Sequence, residues 1–148
     1  MSLGGLLDRQ HQLLESLLAL LRGEQDLLLQ PEIDGAGLSA AAAAKQDLLD
    51  ALARLEASRR LGLVKLGYGE DSGSAEQAAR AFDCLPLWLQ IQDVSQRANH
   101  LNLLNGALIQ QRLDHNQRAL AVLRDLAGNP LYGVDGQSRR EARLSCKA

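Results

Sequence analysis

Leucines recur every seven residues through the first thirty residues of this chain. Two rows are complete and a third is partial: Leu6, Leu13, Leu20 and Leu27; Leu7, Leu14, Leu21 and Leu28; and Leu3 and Leu17. A seven-residue repeat places side chains on one side of an α-helix, and three adjacent rows make a stripe wider than a two-stranded coiled-coil seam. We therefore expect a first helix that packs against more than one neighbouring helix.

The composition of the 148 residues favours helix over strand throughout the chain. Leucine and alanine dominate the apolar residues, and aromatic residues are only 3%, which is the pattern of good helix formers with few strand formers. The predicted fold is all-α, an antiparallel bundle of long helices. The predicted elements are long helices at about 3–30, 38–66 and 85–127, a short helix near 75–83, a bundle domain over 1–128 and a flexible or partner-ordered C-terminal tail over 129–148.

Glycine, proline and small polar residues mark the predicted connections. Pro31 and the sequence DGAG at 34–37 predict a loop, with Ser39 as a possible N-cap of the second helix. The glycine-rich segment 67–74 lacks a lysine and follows a helix rather than a strand, so it is interpreted as an interhelical connection and not as a phosphate-binding loop. Gly128 and Pro130 predict the end of the last helix.

The last predicted helix carries asparagines on its apolar side. A helical wheel at about 100° per residue groups them with a line of apolar residues, namely Leu87, Ile91, Val94, Ala98, Asn102, Asn105, Ile109, Asn116, Leu120, Leu123 and Ala127. Asparagine in a packed helical seam favours one register, because only one alignment pairs its amide. The pattern therefore predicts a seam whose partners supply polar groups, with Gly106 at a close approach of another backbone.

Two questions about this seam stay open in the sequence. Asn105-Gly106 is also a turn signal, so a break into two helices is an alternative to one long helix, which the unbroken apolar phase favours. The asparagine amides could pair within the monomer or wait for the helix of a partner. Physics alone favours pairing within the monomer, because buried polar groups are nearly always hydrogen-bonded.

Motifs of catalysis and metal binding are absent from the sequence. His11, His100 and His115 include no pair at i, i+4 spacing, and no Glu-x-x-His motif occurs. A phosphotransfer domain would place lysine and glycine three and four residues after its histidine, whereas Leu103 and Leu104 follow His100. We therefore expect that the protein is not an enzyme and binds neither a metal ion nor a cofactor.

Charge, hydropathy and cysteine content limit the classes of protein to which this chain can belong. The net charge of −2 does not indicate nucleic-acid binding. The segment at the N-terminus lacks the basic start of a signal peptide, and no apolar run is long enough to cross a membrane. Cys84 and Cys146 are interpreted as reduced thiols of a cytosolic protein.

Three groups of residues resemble the FlgN family of flagellar type III export chaperones. The first contains Leu17, Glu24, Leu28, Lys45, LLDAL at 48–52, RRLGL at 59–63 and LG at 66–67. The second is ANHLNLLNGALI at 98–109, followed by His115 and Asn116, and the third is LYGVDG at 131–136. The asparagine-rich helix followed by a Tyr-Gly-x-x-Gly turn is the most specific of these signals, and the glycine-rich extension at 67–74 departs from the family pattern.

The resemblance implies a cytoplasmic binding protein rather than an enzyme. Chaperones of this family hold the hook–filament junction proteins FlgK and FlgL through their terminal helices and deliver them to the export gate component FlhA, without a cofactor and without inserting into the membrane. The alternative is a structural coiled-coil adaptor that oligomerises through the leucine stripes.

The resemblance also implies site residues. The expected substrate-binding residues are Asn102, Asn105, Ile109, Leu113, Asn116, Leu120 and Leu123. The expected residues of export-gate docking are Tyr132, Gly133 and Gly136. An alternative for Tyr132 is that its ring folds back as a cap on the end of the bundle.

Overall fold

The computed structural model describes residues 2–128, which form four α-helices and no strand. The helices are α1 (Leu3–Leu29), α2 (Gly35–Lys65), α3 (Ser72–Ala81) and α4 (Leu85–Leu126). The all-α prediction is therefore confirmed. The described residues divide into two units, residues 2–107 and residues 108–128, and the predicted domain boundary at residue 128 stays a prediction.

Side-chain caps set where α2 and α3 begin. The Asp34 carboxylate accepts the Gly37 N–H at 2.9 Å, and the Asp71 carboxylate accepts the Ser74 N–H at 2.8 Å. An aspartate N-cap stabilises a helix by about 1 kcal/mol. This offsets the destabilisation of about 1 kcal/mol that a glycine inside a helix causes. The predicted loop is therefore confirmed from Pro31 to Asp34 but not beyond, and the predicted cap at Ser39 is wrong, because α2 already begins at Gly35.

The end of α2 shows what the glycine-rich segment does. Tyr68 N–H donates to the Leu63 carbonyl at 2.9 Å and Gly67 N–H to the Val64 carbonyl at 3.0 Å, with Gly67 at φ +89°. This is a Schellman motif, whose left-handed position favours glycine. Segment 67–74 is thus a helix–helix connection, as predicted, although α3 already starts at Ser72, three residues earlier than expected.

Polar pairs show that α2 runs antiparallel to α1. Gln10 Nε2 of α1 lies 3.5 Å from Glu56 Oε2 of α2. Further along α1, the Glu24 carboxylate pairs with Lys45, which comes earlier in α2. Position along α1 therefore increases as position along α2 decreases, which confirms the antiparallel arrangement.

The first part of α4 runs parallel to α1 and hence antiparallel to α2. A Cβ added to Gly4 would lie 3.5 Å from Cys84 Sγ, immediately before α4 begins. Twenty-one residues further along the chain from Cys84, Asn105 donates a hydrogen bond to the Leu21 carbonyl near the other end of α1. These two contacts show that α1 and α4 start at the same end of the bundle. The short α3 lies in the chain between α2 and α4.

All four helices contribute to one hydrophobic core within residues 1–107. Its buried members are Leu7, Leu14, Leu17, Leu18, Leu21, Leu63, Ala75, Ala78, Ala79, Trp88, Ile91, Val94 and Ala98. The row of Leu7, Leu14, Leu21 and Leu28 is buried along its whole length, and burial of each leucine contributes about 2 kcal/mol. The expectation that α1 packs against more than one helix is confirmed.

α4 is a single helix through Asn105-Gly106, so the break considered from the sequence does not occur. A Cβ added at Gly106 would meet nothing within 4 Å. The expectation of a close backbone approach at Gly106 is therefore wrong, since the glycine faces open space. The helix ends as predicted just before Gly128, which adopts φ +75°.

Within residues 2–128, none of the helices combines the length and apolar character that a membrane crossing requires. Cys84 carries a free thiol. Cys146 and the predicted C-terminal tail lie outside the described residues.

Candidate functional site

Asn105 is the point at which α4 is tied to α1. Its side chain is fully buried, and Nδ2 donates to both the Leu21 carbonyl and Glu24 Oε1, each at 2.9 Å. The Leu21 carbonyl belongs to a helix backbone, so this bond holds a side chain of α4 against the main chain of α1. Asn105 therefore pairs within the chain, as expected because buried polar groups are nearly always hydrogen-bonded.

Lys45 of α2 completes the same group of polar side chains. Its Nζ donates to Glu24 Oε1 at 2.9 Å and to Asn102 Oδ1 at 3.2 Å. We call Glu24, Lys45, Asn102 and Asn105 the polar cluster. Because the cluster takes members from α1, α2 and α4, one alignment of the three helices satisfies it.

The sequence predicted polar partners for the asparagine seam, and that prediction is confirmed for Asn102 and Asn105. The partners themselves were not evident from the sequence. A signal for one of them was present, since Glu24 continues the partial leucine row of Leu3 and Leu17 at seven-residue spacing. A carboxylate in an apolar row is a sign of a buried pair, because an unpaired buried charge is strongly disfavoured.

A second polar group stabilises the other end of the bundle. Arg59 is buried, donates to Glu56 through Nε at 3.0 Å and through Nη2 at 2.6 Å, and stacks 5.1 Å from the centre of the Trp88 ring. These hydrogen bonds with Arg59 lower the pKa of the Glu56 carboxyl from its ordinary 4.5, against the opposing effect of partial burial. This group is structural, because its donors and acceptors pair with one another.

The C-terminal part of α4 presents apolar side chains to solvent. Ile109, Leu113, Leu120 and Leu123 are 38%, 50%, 54% and 59% exposed, and Asn116 between them is also exposed. We call these five residues the distal stripe. Their spacing of four, three, four and three residues places them on one side of the helix.

The opposite side of the same segment is polar. Gln110 donates to the Asp114 carboxylate at 3.1 Å, and Gln117 and Arg118 follow on that side. A helix segment with one apolar side and one polar side, whose apolar side is exposed, is suited to bind another amphipathic helix.

The predicted substrate-binding residues therefore fall into two groups. Asn102 and Asn105 belong to the polar cluster within residues 1–107, whereas the other five form the distal stripe within residues 108–128. The predicted docking residues Tyr132, Gly133 and Gly136 lie outside the described residues. Among residues 2–128, no group of three or more histidine, cysteine or acidic side chains is arranged to hold a metal ion.

Comparison with known proteins identifies the family. The chain matches the model of the FlgN protein family over residues 1–140. It is 33% identical over 141 residues to the flagella synthesis protein FlgN of Yersinia enterocolitica, an alignment that covers 95% of this chain and 92% of that protein.

Two further relatives carry the same description. The flagella synthesis protein FlgN of Salmonella typhimurium is 32% identical, with 92% of this chain and 89% of the relative aligned. That of Proteus mirabilis is 31% identical, with 90% and 88% aligned. No solved structure matches the chain. Because the family match covers nearly all of the sequence and the relatives align over about nine-tenths of both chains, the chain belongs to the FlgN family.

Proposed function

We propose that this protein is a cytoplasmic, non-enzymatic export chaperone of flagellum assembly. It binds the hook–filament junction proteins FlgK and FlgL through their terminal helices and delivers them to the export gate component FlhA. The proposal rests on membership of the FlgN family and on the shape of the site, which suits a helix rather than a small molecule.

The exposed distal stripe is the observation that carries the proposal. A helix that lies along it would remove apolar area of Ile109, Leu113, Leu120 and Leu123 from water, which contributes about 1 kcal/mol per half-exposed side chain. Asn116, in the middle of the stripe, offers an amide that fixes the register of the bound helix.

Asn102 and Asn105 take a different role in this proposal. Asn105 is buried and Asn102 already accepts a hydrogen bond from Lys45. We propose that both act on binding by holding α4 in register, and that direct contact with the substrate falls to the distal stripe.

Docking at the export gate is proposed for the segment with Tyr132, Gly133 and Gly136, by its resemblance to the family motif. A Tyr132→Ala variant is expected to bind FlhA more weakly while it still binds FlgK and FlgL. Calorimetric titration with soluble FlhA measures this, and unchanged affinity for FlhA would remove Tyr132 from the site.

A coiled-coil adaptor remains the second candidate, because an exposed stripe with heptad spacing also suits self-association. The two functions differ in the state of the isolated protein. An adaptor forms a fixed oligomer whose formation buries the stripe. A chaperone is soluble alone and forms a defined complex with its substrate.

Calorimetric titration tests the chaperone proposal directly. The chain is titrated with full-length FlgK and FlgL of its own organism and with their C-terminal peptides. We expect saturable binding with a negative heat-capacity change, which is the mark of apolar burial. Leu113→Ala and Leu120→Ala should each weaken binding about fivefold to thirtyfold, as expected for about 1–2 kcal/mol.

Gln117→Ala, on the polar side of the same segment, is the matched control and should bind like the natural chain. Absence of binding by the natural chain to either full-length partner would exclude the chaperone proposal. A fixed oligomer that Leu113→Ala dissociates would favour the adaptor.

A further inference from the structure

We infer that residues 108–126 of α4 open locally in the free protein and become a stable helix when a partner helix binds the distal stripe. The coupling to binding rests on the proposed function, whereas the local opening is a property of this chain alone. The inference begins from the contrast between two parts of α4, residues 85–105, which we call the anchored part, and residues 108–126, which we call the distal segment.

Packing against other helices holds the anchored part in place. Its buried side chains recur at helical spacing and are Trp88, Ile91, Val94, Ala98 and Asn105. Asn105 is the last of them and donates a hydrogen bond to the backbone of α1 at Leu21. Opening of the anchored part would break that bond and expose the core that all four helices share. It therefore requires a free energy close to that of global unfolding.

The distal segment has little packing of its own. From Ile109 to Leu126 every residue except Arg112 is exposed. A helix in a protein draws most of its stability from the packing of its apolar side, and a short helix without such packing is marginal in water. Local opening requires the least free energy where few apolar side chains are buried. The distal segment therefore opens more readily than the anchored part.

Gly106 weakens the link between the two parts. A segment that continues an existing helix needs no new nucleus and grows by propagation. Here propagation has to pass a glycine, which is less favourable than alanine by a factor of about five. A Cβ at Gly106 would meet nothing within 4 Å, so no close contact requires the glycine. Its effect is to lower the stability of the helix that follows it.

The middle of the distal segment adds to this effect. Asp114, His115 and Asn116 are consecutive, and each has a lower helix propensity than the leucine, glutamine and arginine residues around them. Other features favour the helix, since Gln110 donates to the Asp114 carboxylate and Gly128 ends the helix at φ +75°. The distal segment can therefore form a helix, but it lacks the packing that would keep the helix closed.

The distal stripe is one apolar surface only while the distal segment is helical. Leu113 and Leu120 share a side of α4 because the helix aligns residues that are seven apart. A partner helix that packs along the stripe therefore binds the helical state alone. Its affinity is reduced in proportion to the fraction of molecules in which the segment is helical. Ordering of the helix and binding of the partner are thus coupled.

Hydrogen exchange of backbone amides, followed by mass spectrometry on the full-length chain, measures the local opening. The reporter is residues 110–118, whose amides bond carbonyls at or beyond Gly106, and the reference is residues 92–103 of the anchored part. In the free chain we expect protection factors of the reporter at least about a hundredfold lower than those of the reference. Saturating full-length FlgK of the same organism should raise the protection of the reporter by about tenfold or more.

Gly106→Ala tests the coupling. Alanine favours propagation of the helix past this position, so the variant should increase the protection of residues 110–118 in the free chain. In calorimetric titration it should tighten FlgK binding by up to about fivefold.

Gly23→Ala is the matched control. Gly23 is likewise exposed inside a helix, and a Cβ there would also meet nothing within 4 Å. The substitution should stabilise α1 by a similar factor. It should leave the protection of residues 110–118 and the affinity for FlgK at the values of the natural chain.

Two results in the free chain would overturn the inference and leave the proposed function standing. One is equal protection of residues 110–118 and residues 92–103. The other is fast exchange confined to the last turn, residues 123–126, because the ends of ordinary helices also fray.

Two results with the partner would overturn the coupling. One is a Gly106→Ala variant that protects residues 110–118 more strongly and yet binds FlgK with the affinity of the natural chain. The other is absence of FlgK binding by the natural chain, which would remove the proposed function as well, while exchange in the free chain would still decide on the local opening.

Discussion

Asn105 of α4 and Glu24 of α1 share a 2.9 Å hydrogen bond although they are 81 residues apart in the sequence. The same Glu24 oxygen accepts from Lys45 of α2, also at 2.9 Å. One carboxylate oxygen thus joins the three long helices. The core of the bundle is rich in leucine, whose packing is less directional than hydrogen bonds, so we infer that the polar cluster fixes the register of the bundle.

Removal of the Asn105 amide should destabilise the fold. Asn105→Ala loses two hydrogen bonds from a fully buried side chain. Within residues 2–128 its Oδ1 has no partner, and this unpaired buried atom reduces the net stabilisation by the side chain. We therefore expect Asn105→Ala to lower the free energy of unfolding by about 1–2 kcal/mol. Urea unfolding followed by the fluorescence of Trp88 measures it.

Asn99→Ala is the control for that measurement, because Asn99 lies exposed on the same helix. Its effect should stay within about 0.5 kcal/mol. Equal effects of Asn99→Ala and Asn105→Ala would contradict the role assigned to the buried amide.

Lys45→Ala should destabilise the fold more than Asn105→Ala does. The Glu24 side chain is 4% exposed, so loss of its cation leaves a buried carboxylate without a compensating charge, which costs about 3 kcal/mol. Glu24→Gln removes that charge. The double variant should therefore be more stable than Lys45→Ala alone, as a double-mutant cycle by urea unfolding would measure.

Lys65→Ala, at the exposed end of α2, provides the comparison for a lysine outside the cluster and should change stability little. A double variant less stable than Lys45→Ala would show that the Glu24 carboxylate contributes more through its hydrogen bond from Asn105 than it costs as an uncompensated charge.

Acid should weaken the fold through Glu56. Hydrogen bonds with Arg59 lower the pKa of Glu56 from 4.5 in the folded chain, so the unfolded chain binds this proton first as pH falls. The stabilisation is complete above about pH 4.5 and is lost as pH falls through that value towards the lowered pKa. Urea unfolding at a series of pH values between about 5 and 3 measures the loss.

Glu56→Gln should flatten that part of the pH profile. The control is Glu76→Gln, which removes a more exposed pair with Arg80 on α3, and its profile is measured alongside. If Glu56→Gln keeps the full acid dependence of the natural chain, the loss arises at other carboxylates.

A glycine at position 83 should stabilise the chain. Asp83 has φ +55° at the end of α3, where Cys84 N–H donates to the Ala79 carbonyl at 2.7 Å. Glycine adopts this left-handed conformation without the steric cost of a Cβ, so Asp83→Gly should gain about 0.5–1 kcal/mol.

Gly67→Ala tests the same principle in the opposite direction, because Gly67 has φ +89° at the end of α2. It should lose about 1 kcal/mol. Thermal unfolding measures both variants, and a destabilising Asp83→Gly would indicate that the Asp83 side chain makes a contact that outweighs its backbone strain.

Local regularities of the sequence predicted the helices well. The seven-residue repeat of leucines gave the row of Leu7, Leu14, Leu21 and Leu28, all of which are buried. The unbroken apolar phase of α4 outweighed the turn signal of Asn105-Gly106. Helix starts were predicted less well, because a single cap such as Asp34 shifts a boundary across a glycine-rich segment.

The sequence by itself determined the class of fold and the apolar side of α4, because helical periodicity is a property of neighbouring residues. It did not determine which residues of that side are covered. Ile91, Val94 and Ala98 are buried, whereas Leu120 and Leu123 at equivalent spacing are exposed. Burial of the first three residues depends on α1 and α2, which are distant in the sequence, and so only the tertiary structure decided it. The same holds for the polar cluster, because its bonds join residues distant in the sequence and exist only once three helices pack in one register.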